Sequence, residues 1–209
     1  MKEQQAYEET LTEIRSLMEQ SSRFLSLSGL SGVFAGIFAL IGAGAAFFYL
    51  KAPYDDYYTQ ALSDGRPNIS FITFFIIDAM SVLVLSVSVG AYFSWRKAKK
   101  QGSKLFVKPA SRLFWNLMIP LITGGLFCLI LAFHGDYALI APCTLIFYGL
   151  ALVNGSRYTL NEIRYLGITE IALGLISSFK IGYGLLFWAI GFGVLHIVYG
   201  AWMWYRYER

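Results

Sequence analysis

The chain has 209 residues, of which 56% are hydrophobic and only 14% are charged. Soluble domains carry about 25% charged residues, so this composition excludes a water-soluble globule and favours an all-α integral membrane protein. The net charge of +4 lies in segments between apolar stretches, which disfavours a nucleic-acid partner. Cys128 and Cys143 both fall in apolar stretches, which excludes a disulfide scaffold and a CxxC metal site.

Residues 1–23 predict an amphipathic helical arm. Tyr7, Leu11, Ile14 and Met18 recur at spacings of 4, 3 and 4, and the arm has more Glu than Lys and Arg. A helix that binds anionic lipid should be basic, so lipid-surface binding is disfavoured. Three alternatives stay open: a solvated extension, docking of the arm on a basic segment of its own or a neighbouring subunit, and contact with another protein.

Six apolar stretches follow the arm, and each approaches or exceeds the ~20 residues that a spanning helix requires. Their approximate bounds are 24–50, 70–95, 113–133, 137–153, 160–179 and 183–205. The second and third are joined by residues 96–112, which hold seven Lys or Arg and no acidic residue. Short segments rich in Lys and Arg stay cytoplasmic. We therefore expect a six-transmembrane-helix bundle, residues 24–209, with both termini cytoplasmic.

The charge distribution supports this topology. Of the 17 Lys and Arg residues, three lie on the outer side of the predicted bundle: Lys51, Arg66 and Lys180. An odd number of spans would place the basic C-terminus outside and remove this asymmetry. We expect the plasma (inner) membrane as the location and the lipid bilayer as the first partner.

The first span has small residues at fourfold spacing, among them Gly32 and Gly36. Small residues let helices approach closely in lipid, where van der Waals packing replaces the hydrophobic effect. This pattern predicts a central packing helix, whose partner is either in the same chain or in a second copy of a homo-oligomer. Further along, Pro142 predicts a bend in the fourth span, and Thr159-x-x-Glu162 predicts a capping box that starts the fifth helix.

Three ionisable residues stand clearly inside the spans, away from their ends: Asp78, Glu170 and His196. Such groups are costly in lipid and are candidates for function or for helix packing. Glu170 lies between Gly167 and Gly174, and His196 between Gly193 and Gly200, in the same Gly-x2-ionisable-x3-Gly pattern. Spacings of three and four put each set on one helix face.

Because the fifth and sixth spans are antiparallel neighbours, we expect Glu170 and His196 to form a hydrogen-bonded or ionic pair at similar depth. The pair is either a clamp between helices or a proton-handling pair, since His titrates near neutrality. Asp78 should lie nearer the outer face and head a polar stripe towards other helices; His134 is one candidate partner for it.

The sequence indicates the activity only weakly. It contains no HExxH, no GxGD and no phosphate-binding loop, and no metal or cofactor is expected. We expect a non-catalytic sensor, regulatory or assembly component that acts through the arm and the basic segment. The alternative is a small oligomeric transporter or channel, proton-linked through Glu170, His196 and Asp78. A membrane enzyme is the least favoured class.

Overall fold

The structure is a computed structural model that describes residues 27–50, 57–63, 66–100 and 108–209. The described residues are 89% helical and contain no closed sheet. The predicted arm, residues 1–23, lies outside them, as do residues 101–107 of the basic segment. Both ends of that segment are helical, so the connection between the second and third spans is shorter than predicted.

Six long helices make up most of the described chain. They are α1 Gly29–Tyr49, α2 Ile69–Lys100, α3 Lys108–His134, α4 Ile140–Gly155, α5 Asn161–Phe179 and α6 Gly184–Tyr207. Short 3-10 turns occur at Tyr57–Ala61, Tyr137–Leu139 and Ser156–Tyr158. A two-residue strand β1, Leu62–Ser63, pairs antiparallel with β2, Arg66–Pro67.

Five of these helices are long and apolar enough to cross a membrane, namely α1, α2, α3, α4 with its flanking turns, and α6. This length and apolar composition are those of an integral membrane protein. The helix α5 is not among the five. It carries Glu162, Arg164 and Glu170 within 19 residues, so every stretch of 18 residues in it contains three charged side chains.

The helices pack as two groups of three. In the first group α1 lies between α2 and α6, and in the second α4 lies between α3 and α5. The groups meet where α6 packs against α4 and α5. Contacts from Glu208 and Arg206 bring together the start of α1, the end of α2, the start of α5 and the end of α6. We call this the Glu208 end of the bundle.

The helices α1 and α6 approach each other along their glycines. A methyl group on Gly200 would come within 2.6 Å of the Val33 backbone nitrogen, and one on Gly36 within 2.5 Å of the Gly193 carbonyl oxygen. A methyl group on Gly32 would lie 3.1 Å from the Gly200 Cα. The small-residue row of α1 therefore contacts a helix of the same chain, backbone against backbone.

The glycines that flank Glu170 face a different helix from the one expected. A methyl group on Gly167 would lie 2.7 Å from the carbonyl oxygen of Gly149 in α4, and Gly174 faces Ile146 and the Pro142 carbonyl. The two Gly-x2-ionisable-x3-Gly patterns thus do not pack against each other: α5 uses its glycines against α4, while α6 uses Gly193 and Gly200 against α1.

Two local expectations are wrong. Pro142 lies in the first turn of α4, which begins at Ile140, so its missing N–H removes no bond within the helix. The proline inside a helix is Pro120, in α3. The Glu162 half of the capping box also does not form: its carboxylate accepts hydrogen bonds from Arg206 and Tyr207 instead of reaching back to the start of α5.

Candidate functional site

His196 lies in α6 directly after a π-helical stretch, Ala189–Leu195. Its side chain is only 6% exposed. The ring nitrogen Nδ1 lies 3.0 Å from the carbonyl oxygen of Gly191, and Nε2 lies 2.7 Å from the hydroxyl of Tyr148 in α4. The rings of Phe192 and Tyr148 pack beside the imidazole, with centroids 5.9 and 5.3 Å away. Both polar atoms of the imidazole are therefore engaged.

Glu170 is 0% exposed. Its Oε1 atom lies 3.5 Å from His196 Nδ1, beyond normal hydrogen-bond length, because Nδ1 bonds the Gly191 carbonyl instead. Neither carboxyl oxygen has a hydrogen-bond partner among the described residues. The carboxyl group packs against Gly191, where an added methyl group would collide with Oε2. The geometry is an electrostatic contact without a hydrogen bond.

The partners of His196 define where its proton lies. A carbonyl oxygen only accepts, so Nδ1 must donate to Gly191. With Nδ1 protonated, a neutral imidazole accepts the Tyr148 proton at Nε2, and an imidazolium donates to the Tyr148 oxygen instead. Both forms keep the two bonds. The two forms of the ring differ in their interaction with Glu170. An ionised Glu170 carboxylate attracts the imidazolium and does not attract the neutral imidazole.

Asp78 lies apart from this group. Its carboxylate faces Gly42 of α1, where an added methyl group would come within 3.2 Å of Oδ2. It is half-buried and has no hydrogen bond or ion pair to any other described residue, His134 included. Ser81 and Ser88, which continue the predicted polar stripe, are exposed in the described part of the chain. The structure brings Glu170 and His196 together and leaves Asp78 outside.

A second polar group, at the Glu208 end, was not predicted from the sequence. The Glu208 carboxylate accepts hydrogen bonds from the Gly29 backbone N–H, at 2.6 Å, and from the Ser28 hydroxyl, at 2.9 Å. The Lys97 ammonium lies 3.4 Å from the same carboxylate and donates to the Leu27 carbonyl at 2.7 Å. A carboxylate at a helix start satisfies free N–H groups and the helix dipole.

All buried side-chain oxygens without a partner in the described residues lie on α5. They are Oε2 of Glu162, both carboxyl oxygens of Glu170 and Oγ of Ser177. At 100° per residue these positions fall within an 80° sector, so they share one face of the helix. No group of three or more His, Cys, Asp or Glu side chains that could hold a metal ion occurs in the described ranges.

The start of α1 reads Gly29-Leu-Ser31-Gly32, a Gly-x-Ser-Gly pattern that can hold a serine nucleophile. A nucleophilic serine requires a base within hydrogen-bond reach. The Ser31 hydroxyl donates to the Ser28 carbonyl and faces Gly90 of α2, whereas the His196 imidazole is bonded to Tyr148 and Gly191. The described geometry therefore does not form a serine–histidine pair.

No protein-family model matches the chain, and neither the curated proteins nor the solved structures include a match to it.

Proposed function

We propose that this protein is a non-catalytic sensor, regulatory or assembly component of the plasma (inner) membrane, with six spans and both termini in the cytoplasm. The observation that carries the proposal is the sealing of its intramembrane polar group. Glu170 and His196 are 0% and 6% exposed, and packed side chains cover them on α4, α5 and α6. A transporter or channel requires water to reach such groups during its cycle.

The polar group has the geometry of a clamp between the two groups of helices. His196 of α6 is hydrogen-bonded to Tyr148 of α4 in both protonation states of the ring. Glu162 of α5 accepts hydrogen bonds from Arg206 and Tyr207 of α6 across the same interface. Hydrogen bonds between helices in a bilayer contribute about 0.6 to 2 kcal/mol each. Such bonds fix the arrangement of the helices without requiring any substrate.

A route for regulation starts at the Glu208 end. The N-terminal arm, residues 1–23, precedes Leu27 by three residues, and the basic segment, residues 96–112, begins in the last turns of α2. Lys97, which belongs to the basic segment, contacts both Leu27 and Glu208, so it lies at the junction of that segment, the start of α1 and the end of α6. A protein that binds the arm or the basic segment would act on α6 through this junction, and α6 carries His196.

The described basic residues support the proposed orientation. At the Glu208 end lie Arg96, Lys97, Lys99, Lys100, Arg112, Arg157, Arg164, Arg206 and Arg209. At the opposite end lie Arg66 and Lys180. The positive-inside rule places the richer end in the cytoplasm. In this proposal α5 is the sixth span. Its 19 residues extend about 29 Å, Glu162 and Glu170 are buried in the bundle, and the exposed Arg164 lies in its first turn.

Cysteine labelling tests the topology. In a chain whose own two cysteines are replaced by serine, Lys180→Cys should react with an impermeant maleimide in intact cells. Arg164→Cys, at the other end of α5, should react only after permeabilisation. Both side chains are exposed and make no hydrogen bond or ion pair within the described residues. Labelling of both positions from the same side would show that α5 does not cross.

Affinity purification in mild detergent tests the activity. The full chain should retain one or more specific proteins, and deletion of residues 1–23 or neutralisation of Lys99 and Lys100 should release them. A variant with neutral residues at Arg66 and Lys180 is the control, because these cations lie at the opposite end. Equal recovery of partners from all variants would contradict a regulatory role for the arm and the basic segment.

The second candidate is a small oligomeric transporter or channel that is proton-linked. It is favoured by the unpartnered oxygens of Glu170 and by the half-buried carboxylate of Asp78. Purified protein in liposomes should then conduct protons or couple them to a solute, and Glu170→Gln or Asp78→Asn should abolish the flux. A flux that depends on these residues would overturn the proposal of a non-catalytic regulator. The absence of flux would contradict the transporter or channel and support the regulator.

A further inference from the structure

A groove of about 400 Å³ lies between α3 and α4 on the surface of the bundle, and neither Glu170 nor His196 lines it. The side chains of Pro120, Phe147 and Leu150 supply apolar walls. Phe147 fits against α3 because position 124 is glycine, where any added methyl group would collide with the ring. This volume lies within the range of small-molecule sites.

One end of the groove carries its only charged lining residue, Arg157. The guanidinium is exposed and has no carboxylate partner among the described residues. The other polar lining side chains are already used as donors: Asn154 bonds the Asn116 carbonyl and Thr123 bonds the Ile119 carbonyl. The groove therefore offers a long apolar surface and a single unpaired cation at its end.

We propose that the groove binds an anionic phospholipid, with an acyl chain along α3 and α4 and its phosphate at Arg157. The lining residues Phe147 and Arg157 are ten positions apart, about 15 Å along the helix, which is half of the ~30 Å hydrocarbon thickness of a bilayer. An acyl chain that fills it would therefore bring its headgroup to the membrane surface. Arginine is suited to this contact because its planar fork binds phosphate oxygens in pairs.

The walls of the groove are held in a fixed shape. Pro120 lacks an N–H, which leaves the Asn116 carbonyl of α3 without its partner in the helix, and the Asn154 amide of α4 bonds that carbonyl. This bond ties the two helices together beside Arg157. The site is thus formed by the resting fold and requires no rearrangement to accept a lipid chain.

Native mass spectrometry of the full chain tests the proposal. Protein purified in mild detergent and exchanged with equal amounts of phosphatidylglycerol and phosphatidylcholine should retain phosphatidylglycerol selectively. Arg157→Gln should reduce the retained ratio of the two lipids about fivefold, the effect of one cation near an anionic surface. Arg164→Gln, an exposed cation at the same end but outside the groove, should leave the ratio unchanged.

A second pair of variants tests the apolar wall. Leu150→Trp should fill the groove and lower retention of phosphatidylglycerol, whereas Leu129→Trp, on an exposed position of α3 outside the groove, should not. Inorganic phosphate at the same concentration should not displace the lipid. Equal retention of the two lipids by the unaltered chain, or equal loss in Arg157→Gln and Arg164→Gln, would overturn the proposal.

Discussion

The side-chain amide of Asn154 donates a 2.9 Å hydrogen bond to the carbonyl oxygen of Asn116, across the contact between α4 and α3. Asn116 lies four residues before Pro120, so its carbonyl is the one that the proline leaves without a backbone donor. In a bilayer no water compensates such a group. One polar side chain of α4 thereby makes an interior proline in α3 tolerable.

This relationship predicts a compensating pair of substitutions. Asn154→Leu should lower the free energy of unfolding by about 1 to 2 kcal/mol, since a part-buried carbonyl loses the Asn154 donor. In a Pro120→Ala background Asn154→Leu should lower the free energy of unfolding by less, because the backbone N–H of alanine at position 120 can donate to the Asn116 carbonyl. The measurement is unfolding in a mixed-micelle denaturant titration of all four chains. Equal costs of Asn154→Leu in both backgrounds would contradict this explanation.

The bond between Tyr148 and His196 predicts the effect of Tyr148→Phe. Loss of the hydroxyl should lower the free energy of unfolding by about 1 kcal/mol and leave the ring packing intact. Tyr165→Phe is the matched control, because Tyr165 is 60% exposed and should tolerate the loss within experimental error. A destabilisation of the same size in both variants would show that Tyr148 contributes no specific bond.

The close approach of α1 and α6 predicts a difference between two glycines. Gly200→Ala should destabilise the protein by about 1 to 3 kcal/mol, because its methyl group would meet backbone atoms of α1 that have no room to move. Gly44→Ala should be neutral or stabilising, since no atom lies within 4 Å of the added methyl group and alanine favours the helix. Thermal unfolding in detergent measures both.

The Glu208 junction predicts sensitivity at the last residues of the chain. Glu208→Ala should lower the free energy of unfolding by about 2 kcal/mol, because the start of α1 loses a charged acceptor and Lys97 loses its counter-charge. Replacing the adjacent Arg209 by alanine is the control, since the Arg209 guanidinium lies over the exposed ring of Tyr205 and makes no hydrogen bond or ion pair among the described residues. In a Lys97→Met background, Glu208→Ala should lower the free energy of unfolding by less than it does in the unaltered chain. An equal loss in both backgrounds would contradict an energetic coupling between Lys97 and Glu208.

The positions of the helices follow closely from hydrophobic runs. The predicted span 160–179 lies within one residue of α5 at both ends, and the span 70–95 extends five residues further as α2. The extension follows from Arg96 to Lys100, which continue a helix because Lys and Arg at its C-terminal end favour the dipole. Charge placement alone indicated a loop there.

The polar partners were harder to predict because they depend on which helices are neighbours. Spacing shows that Glu170 and His196 share faces with glycines, but it does not show that those glycines meet α4 and α1. Tyr148 carries no sequence signal that distinguishes it from an ordinary aromatic residue of a span. The π stretch before His196, which brings Gly191 to its ring, also has no periodic pattern in the sequence.

The packing of α1 against α6 has a consequence for biosynthesis. The helix α1 leaves the ribosome well before its closest neighbour α6, which is translated some 150 residues later. Until then the glycine-lined side of α1 has only lipid against it, and its opening turn lacks the carboxylate that completes it. In the nascent chain, α1 therefore reaches its final packing only after α6 has entered the bilayer.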